Sequence, residues 1–169
     1  KPDWLAFGGV TEDGRYLIVY AVKGTDPNNQ LYLAVLKDPA KPDLSVPVRP
    51  FIVENDASFS PMGDAGGKFY VLTNLNAPKR RIVAIDLGAP SREQWKTIVP
   101  EAKEVIEEGA LVGGRIAAHY LVDVKSEVSL FSMEGKRQGS LPLPGIGSVQ
   151  GLSGRNDTAE IFYSFTSVL

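Results

Sequence analysis

Residues 66–87, GGKFYVLTNLNAPKRRIVAIDL, and residues 113–131, GGRIAAHYLVDVKSEVSLF, share one shape: a glycine pair, an apolar run, a polar turn and a second apolar run. Two further stretches extend the series, DGRYLIVYAV from Asp13 and TAEIFYSFTS from Thr158. Their first large apolar residues are Tyr16, Phe69, Ile116 and Ile161, spaced by 53, 47 and 45 residues. Such a period signals a repeat architecture, and it has to be recognised before any single motif is weighed.

Each unit contains more than two runs. QLYLAVLKD, RIVAIDL and EVSLFSM supply a further run in the first three units, and RPFIVEN, WKTIVPEA and QGSLPLP supply another. WLAFGGV, ASFSPMG, VIEEGALVGG and SVQGLSG precede the turns that open them. The runs are short, rich in Val, Ile, Tyr and Phe, and bounded by Gly, Pro, Asn and Asp, which are strand and turn signals. Four antiparallel strands repeated every ~40–50 residues describe the blade of a β-propeller. The expectation is an all-β partial β-propeller of three complete blades, 4–55, 56–102 and 103–145, and a half blade, 146–169. PEAKEVIEEGA (100–110) has the composition of a short helix, but the repeat places a blade's innermost strand there and predicts a strand.

Composition narrows the functional classes. The 169 residues suffice for one mid-sized domain, and 43% apolar with 22% charged residues is ordinary for a globular protein. A net charge of -2 leaves no footprint for nucleic acid or an anionic membrane. No apolar run approaches the ~20 residues of a spanning helix. The absence of cysteine excludes thiol catalysis, disulfides and Cys-ligated zinc, and leaves a cytoplasmic or periplasmic location equally open. The chain starts at Lys1 and stops inside the strand-like IFYSFTSVL, so it reads as a piece of something larger.

The candidate chemistry is sparse. His119, the single histidine, is followed by Asp123 and Ser126. Asp123 shares the strand parity of His119, yet four residues of strand span roughly 13 Å, beyond the reach of a base and its orienting acid. Ser126 is expected in the turn that follows, and His119 is expected to be structural. GIGSVQGLSG (145–154) fits neither a nucleophile elbow nor a dinucleotide loop, because the serine directly follows Gly147 and no helix follows. An inter-blade turn entering an inner strand accounts for its glycines. Glu101, Glu104, Glu107 and Glu108 read as a solvated face, and Lys79–Arg81 as the charge of a hairpin turn. No catalytic, cofactor-binding or metal-binding residue is assigned, and no cofactor is expected.

GGVTEDGRYLIVYAVKGTDPNNQLYLA, KFYVLTNLNAPKRRIVAIDL, WKTIVPE (95–101), LVDVKSEVSLF and DTAEIFYSFTS together resemble the propeller domain of the prolyl oligopeptidases, in that family's order and spacing. The resemblance implies a seven-bladed propeller set over an α/β-hydrolase catalytic domain that carries the Ser, Asp and His. It also implies that the propeller admits short proline-containing peptides and excludes folded proteins. The catalytic residues would lie beyond Leu169, so the chain alone is expected to be inert. Alignment on Asp13–Tyr16 puts Leu5 and Thr25 at two substrate-cavity positions, where relatives often carry Met and Cys. The alternative reading is a stand-alone propeller that binds a protein or peptide partner. A true fragment would leave two blade faces uncovered and is expected to self-associate through them.

Overall fold

The computed structural model describes residues 3–167. It contains fourteen strands in four antiparallel sheets, each strand paired with its neighbour in sequence. The first sheet comprises β1 (Trp4–Val10), β2 (Tyr16–Lys23), β3 (Asn29–Val35) and β4 (Arg49–Ile52). The second comprises β5 (Phe59–Ala65), β6 (Lys68–Thr73), β7 (Arg81–Asp86) and β8 (Lys96–Val99). The third comprises β9 (Val105–Val112), β10 (Arg115–Val122), β11 (Lys125–Ser132) and β12 (Arg137–Leu141). β13 (Gly147–Gly154) and β14 (Ile161–Ser167) form a two-stranded sheet. The one helical element among the described residues is a single 3-10 turn, Arg92–Gln94. The repeat therefore predicts the all-β architecture correctly, and the 100–110 segment enters β9 rather than a helix.

The chain divides into two compact units between Ser60 and Pro61. In the first, β1 pairs with β2 from Trp4↔Lys23 to Val10↔Leu17, and β2 pairs with β3 from Tyr16↔Val35 to Val22↔Asn29. Its most deeply buried side chains include Leu31, Leu36 and Ile52.

In the second unit the middle strands are covered on both faces. Phe69 to Thr73 on β6 and Ile116 to Tyr120 on β10 are buried without a break. A strand with two covered faces favours apolar residues on both sides, which explains why these runs do not alternate with polar residues; Thr73 and His119 are the polar members, both buried. Ile116, Ala118 and Tyr120 pack with Tyr70, Leu72, Ile82 and Ile106, filling the seam between the second and third sheets. Ala117, with Ala110, Val112 and Val128, faces the other way and packs with Val149 and Leu152 of the two-stranded sheet.

The hairpin turns explain the glycine pairs. Gly66–Gly67 and Gly113–Gly114 all have φ between +57° and +76°, the left-handed values that a tight two-residue hairpin turn requires. The β10–β11 turn uses Asp123 at +45° and Val124 at +61° instead. A β-branched residue there is strained, because its Cβ crowds the backbone. Replacing Val124, which is 84% exposed and packs on little, by Gly is expected to raise stability by about 1 kcal/mol. Urea unfolding of the two forms checks this; equal midpoints would show that the turn carries no strain.

Candidate functional site

The histidine that invites a catalytic reading is 5% exposed on β10 and stands opposite Val128 of β11 and Glu108 of β9. The structure corrects the expected position of Ser126. The turn consists of Asp123 and Val124 alone, so Ser126 lies on β11, one diagonal step from His119. His119 Nε2 and Ser126 Oγ share a hydrogen bond of 2.7 Å. Asp123 stays exposed in the turn, and His119 Nδ1, the atom an orienting acid would hold, is buried without a partner among the described residues. Ser126 is also buried, and its Oγ accepts the Val149 N–H at 2.8 Å. A buried pair without an orienting acid, with its serine engaged by the next sheet, joins strands and has no access to a substrate.

Glu108 has a comparable role. β13 carries a bulge between Gln150 and Ser153, with Gly151 at φ +66°. The bulge leaves the Gly151 and Leu152 N–H groups without ladder partners, and the two carboxylate oxygens of Glu108 accept them at 3.2 and 2.8 Å. Glu108 is therefore not simply part of a solvated acidic face, and the GIGSVQGLSG segment is a bend at 144–146 that enters strand β13, as its glycines lead one to expect. Gly147 is required there because a Cβ would meet the Thr166 carbonyl oxygen at 2.2 Å. Glu101 accepts the Lys79 N–H at 2.5 Å, and Glu104 pairs with Lys103 at 3.4 Å. No three metal-ligating side chains converge among the described residues.

The basic run is engaged with the protein's own backbone. Lys79 Nζ donates to the Lys103 carbonyl, and Arg80 donates to the Ile106 and Glu107 carbonyls at 3.3 and 3.0 Å. Arg81 donates to Thr97 Oγ1 at 3.0 Å.

These contacts repeat a single device with different chemistry. β5, β9 and β13 are edge strands of their sheets, so every second backbone N–H points away from the ladder. Near the start of each, one buried residue donates its N–H to the second hairpin of the preceding sheet. Phe59 N–H donates to Asn29 Oδ1 at 2.7 Å, Ile106 N–H to the Lys79 carbonyl at 3.1 Å, and Val149 N–H to Ser126 Oγ. Asn29, fully buried, returns a bond from Nδ2 to the Phe59 carbonyl at 2.9 Å. The repeat marks the strands but not these acceptors, since an amide, a carbonyl and a hydroxyl leave no common sequence signal.

Leu5 is 57% exposed near the start of β1. Thr25 is exposed in the β2–β3 turn. The Trp4↔Lys23 pair brings both to the same end of the first sheet. Asp26, next to Thr25, holds this turn by accepting the Asn28 N–H and the Asn55 side-chain amide, each at 2.9 Å. Asn28 in turn donates to the Asn55 carbonyl at 3.2 Å.

Burial pushes the His119 pKa below the usual histidine value, while the charges of Glu108 and Glu107 pull it the other way. The unfolded chain therefore binds this proton first as pH falls, so stability is lost as pH drops below about 6.5 towards the folded value. Protonation also makes Nε2 a donor, which takes away the acceptor for the Ser126 hydroxyl. Urea unfolding at pH 7.5 and 5.5 is expected to show a smaller acid loss in His119→Gln than in the parent chain; equal losses would contradict this. Ser126→Ala leaves the Val149 N–H buried without an acceptor and is expected to cost about 1–3 kcal/mol at pH 7.5. A loss below 0.5 kcal/mol, within the range of neutral surface changes, would show that the tie is dispensable.

Residues 1–169 match the family model described as the N-terminal β-propeller domain of prolyl oligopeptidase. A prolyl endopeptidase from Elizabethkingia meningoseptica is 32% identical over 160 residues, covering 95% of this chain and 22% of that protein. A solved structure from a study of two prolyl endopeptidases and their inter-domain dynamics superposes with a TM-score of 0.87 at 32% identity, over 98% of this chain and 24% of that one. Prolyl oligopeptidase B from Galerina marginata, solved with a peptide substrate for hydrolysis and macrocyclization, gives a TM-score of 0.84 at 26% identity, over 96% of this chain and 23% of that one. The chain thus spans less than a quarter of the length of these relatives. It belongs to the prolyl oligopeptidase N-terminal β-propeller family.

Proposed function

We propose that this chain is the non-catalytic lid and size filter of a serine peptidase that cleaves short peptides after proline. The observation that carries the reading is the match of the whole chain to the propeller segment of larger prolyl endopeptidases. On this reading the acyl-transfer chemistry is done by an α/β-hydrolase domain of the parent chain, with its own serine, acid and histidine. The propeller restricts access to that site and contributes side chains to the cavity wall.

Leu5 and Thr25 are the proposed wall residues. Their exposure at one end of the first sheet suits a surface that another domain covers. The bonds from Asn28 and Asn55 to Asp26 give the Thr25 turn a fixed shape, which a cavity wall needs if it is to select substrates by size. Leu5 offers apolar area, and Thr25 offers a small hydroxyl-bearing side chain.

The isolated chain is expected to show no turnover of a fluorogenic Gly-Pro peptide, and turnover sensitive to serine inhibitors would contradict the assignment. In the full-length parent, Thr25→Arg and Leu5→Arg are each expected to raise KM for a short proline peptide by about tenfold with kcat little changed, the mark of lost ground-state binding. Unchanged KM in both variants would remove these residues from the cavity wall.

A further inference from the structure

A cleft of about 360 Å³ opens between the second and third sheets, beside the 100–104 connection. Its floor is apolar, formed chiefly by Val99, Val122, Tyr120 and Phe131. This volume falls in the range of small-ligand sites. Three polar groups in its lining are not used by the protein in the way their chemistry invites. Tyr120 is 9% exposed, and its hydroxyl has no hydrogen-bond partner among the described residues. Arg137 gives one N–H to Ser140 Oγ at 2.7 Å and has no carboxylate partner among the described residues. Glu127 lines the same cleft and likewise carries no ion pair among them.

The register fixes how these groups are spread. Glu127 stands opposite Tyr120, and Arg137 stands opposite Phe131. Glu127 and Phe131 are four residues apart on β11, so the anion and the cation attach about 13 Å apart across an apolar floor. Both side chains are long and shorten that gap. What remains suits a ligand with a positive end, an apolar middle and a negative end, of about two or three extended residues at ~3.5 Å each. Burial raises the Tyr120 pKa, opposed by the Arg137 charge, and the phenol stays protonated at neutral pH as a donor.

We propose that this cleft binds di- and tripeptides with free termini. The peptide ammonium meets Glu127, its carboxylate meets Arg137, the Tyr120 hydroxyl offers a hydrogen bond to the peptide backbone between them, and its apolar side chains lie on Phe131 and Val122. The assignment does not rest on the peptidase reading, because binding is measured directly and with a peptide that contains no proline.

The test is isothermal titration calorimetry of the full-length parent polypeptide with Gly-Leu-Ala, and with its N-acetylated and C-amidated forms. The free peptide is expected to bind, and each blocked form to bind about tenfold more weakly, as expected for loss of a charge-assisted contact. Arg137→Gln is expected to weaken the free peptide tenfold and to leave the C-amidated form unaffected. Glu127→Gln should do the same for the free and N-acetylated forms. Both positions are exposed, so the variants should fold. Equal binding of free and blocked peptides, insensitivity to both substitutions, or no binding up to 10 mM (roughly 3 kcal/mol of affinity) would each overturn the proposal.

Discussion

A buried backbone N–H on an edge strand must find an acceptor outside its own ladder, and this constraint organises the molecule. Leaving such a group unpaired costs about 1–3 kcal/mol, a large share of a domain's net stability. Phe59, Ile106 and Val149 each meet it by donating to the second hairpin of the sheet that precedes them in sequence. The apolar seams supply most of the burial. The polar ties determine which backbone atoms face each other, so they set register where hydrophobic packing alone would tolerate a slip.

This also settles the status of His119. Its imidazole bonds the same serine that receives the Val149 N–H, so it supports the third of these ties from behind. Glu108 serves the same seam by accepting the two N–H groups released by the β13 bulge. A titratable pair at one sheet junction links stability to pH. It lacks the orienting acid that the histidine of a serine peptidase uses.

The strands were legible because both faces of β6 and β10 are covered, which favours nearly continuous apolar runs, and because those runs recur with the repeat. The glycine pairs were legible because left-handed turns favour glycine. Asp123–Val124 was not, since a valine at φ +61° gives no turn signal, and that concealed the true place of Ser126 on β11. The acceptors Asn29, Lys79 and Ser126 could not be read from the repeat, because an equivalent job is done by unlike chemistry. Glu108 sat in a segment whose composition favours a helix, and only the bulge on the neighbouring strand shows what its carboxylate is for. Of the candidate site, Leu5 and Thr25 rest on the resemblance to a known family, and their place in a cavity wall is a proposal. The zwitterionic lining of the Tyr120 cleft becomes visible only when β10, β11 and β12 are laid side by side.

The most direct test of the account is amide hydrogen exchange, followed by NMR, at Phe59, Ile106 and Val149. The account predicts that all three exchange as slowly as the central amides of β6 and β10, and that Ser126→Ala speeds exchange at Val149 while leaving Phe59 and Ile106 unchanged. Exchange at these amides as fast as in the exposed 37–48 loop would mean that the ties do not form, and the edge-strand constraint would then have to be met in some other way.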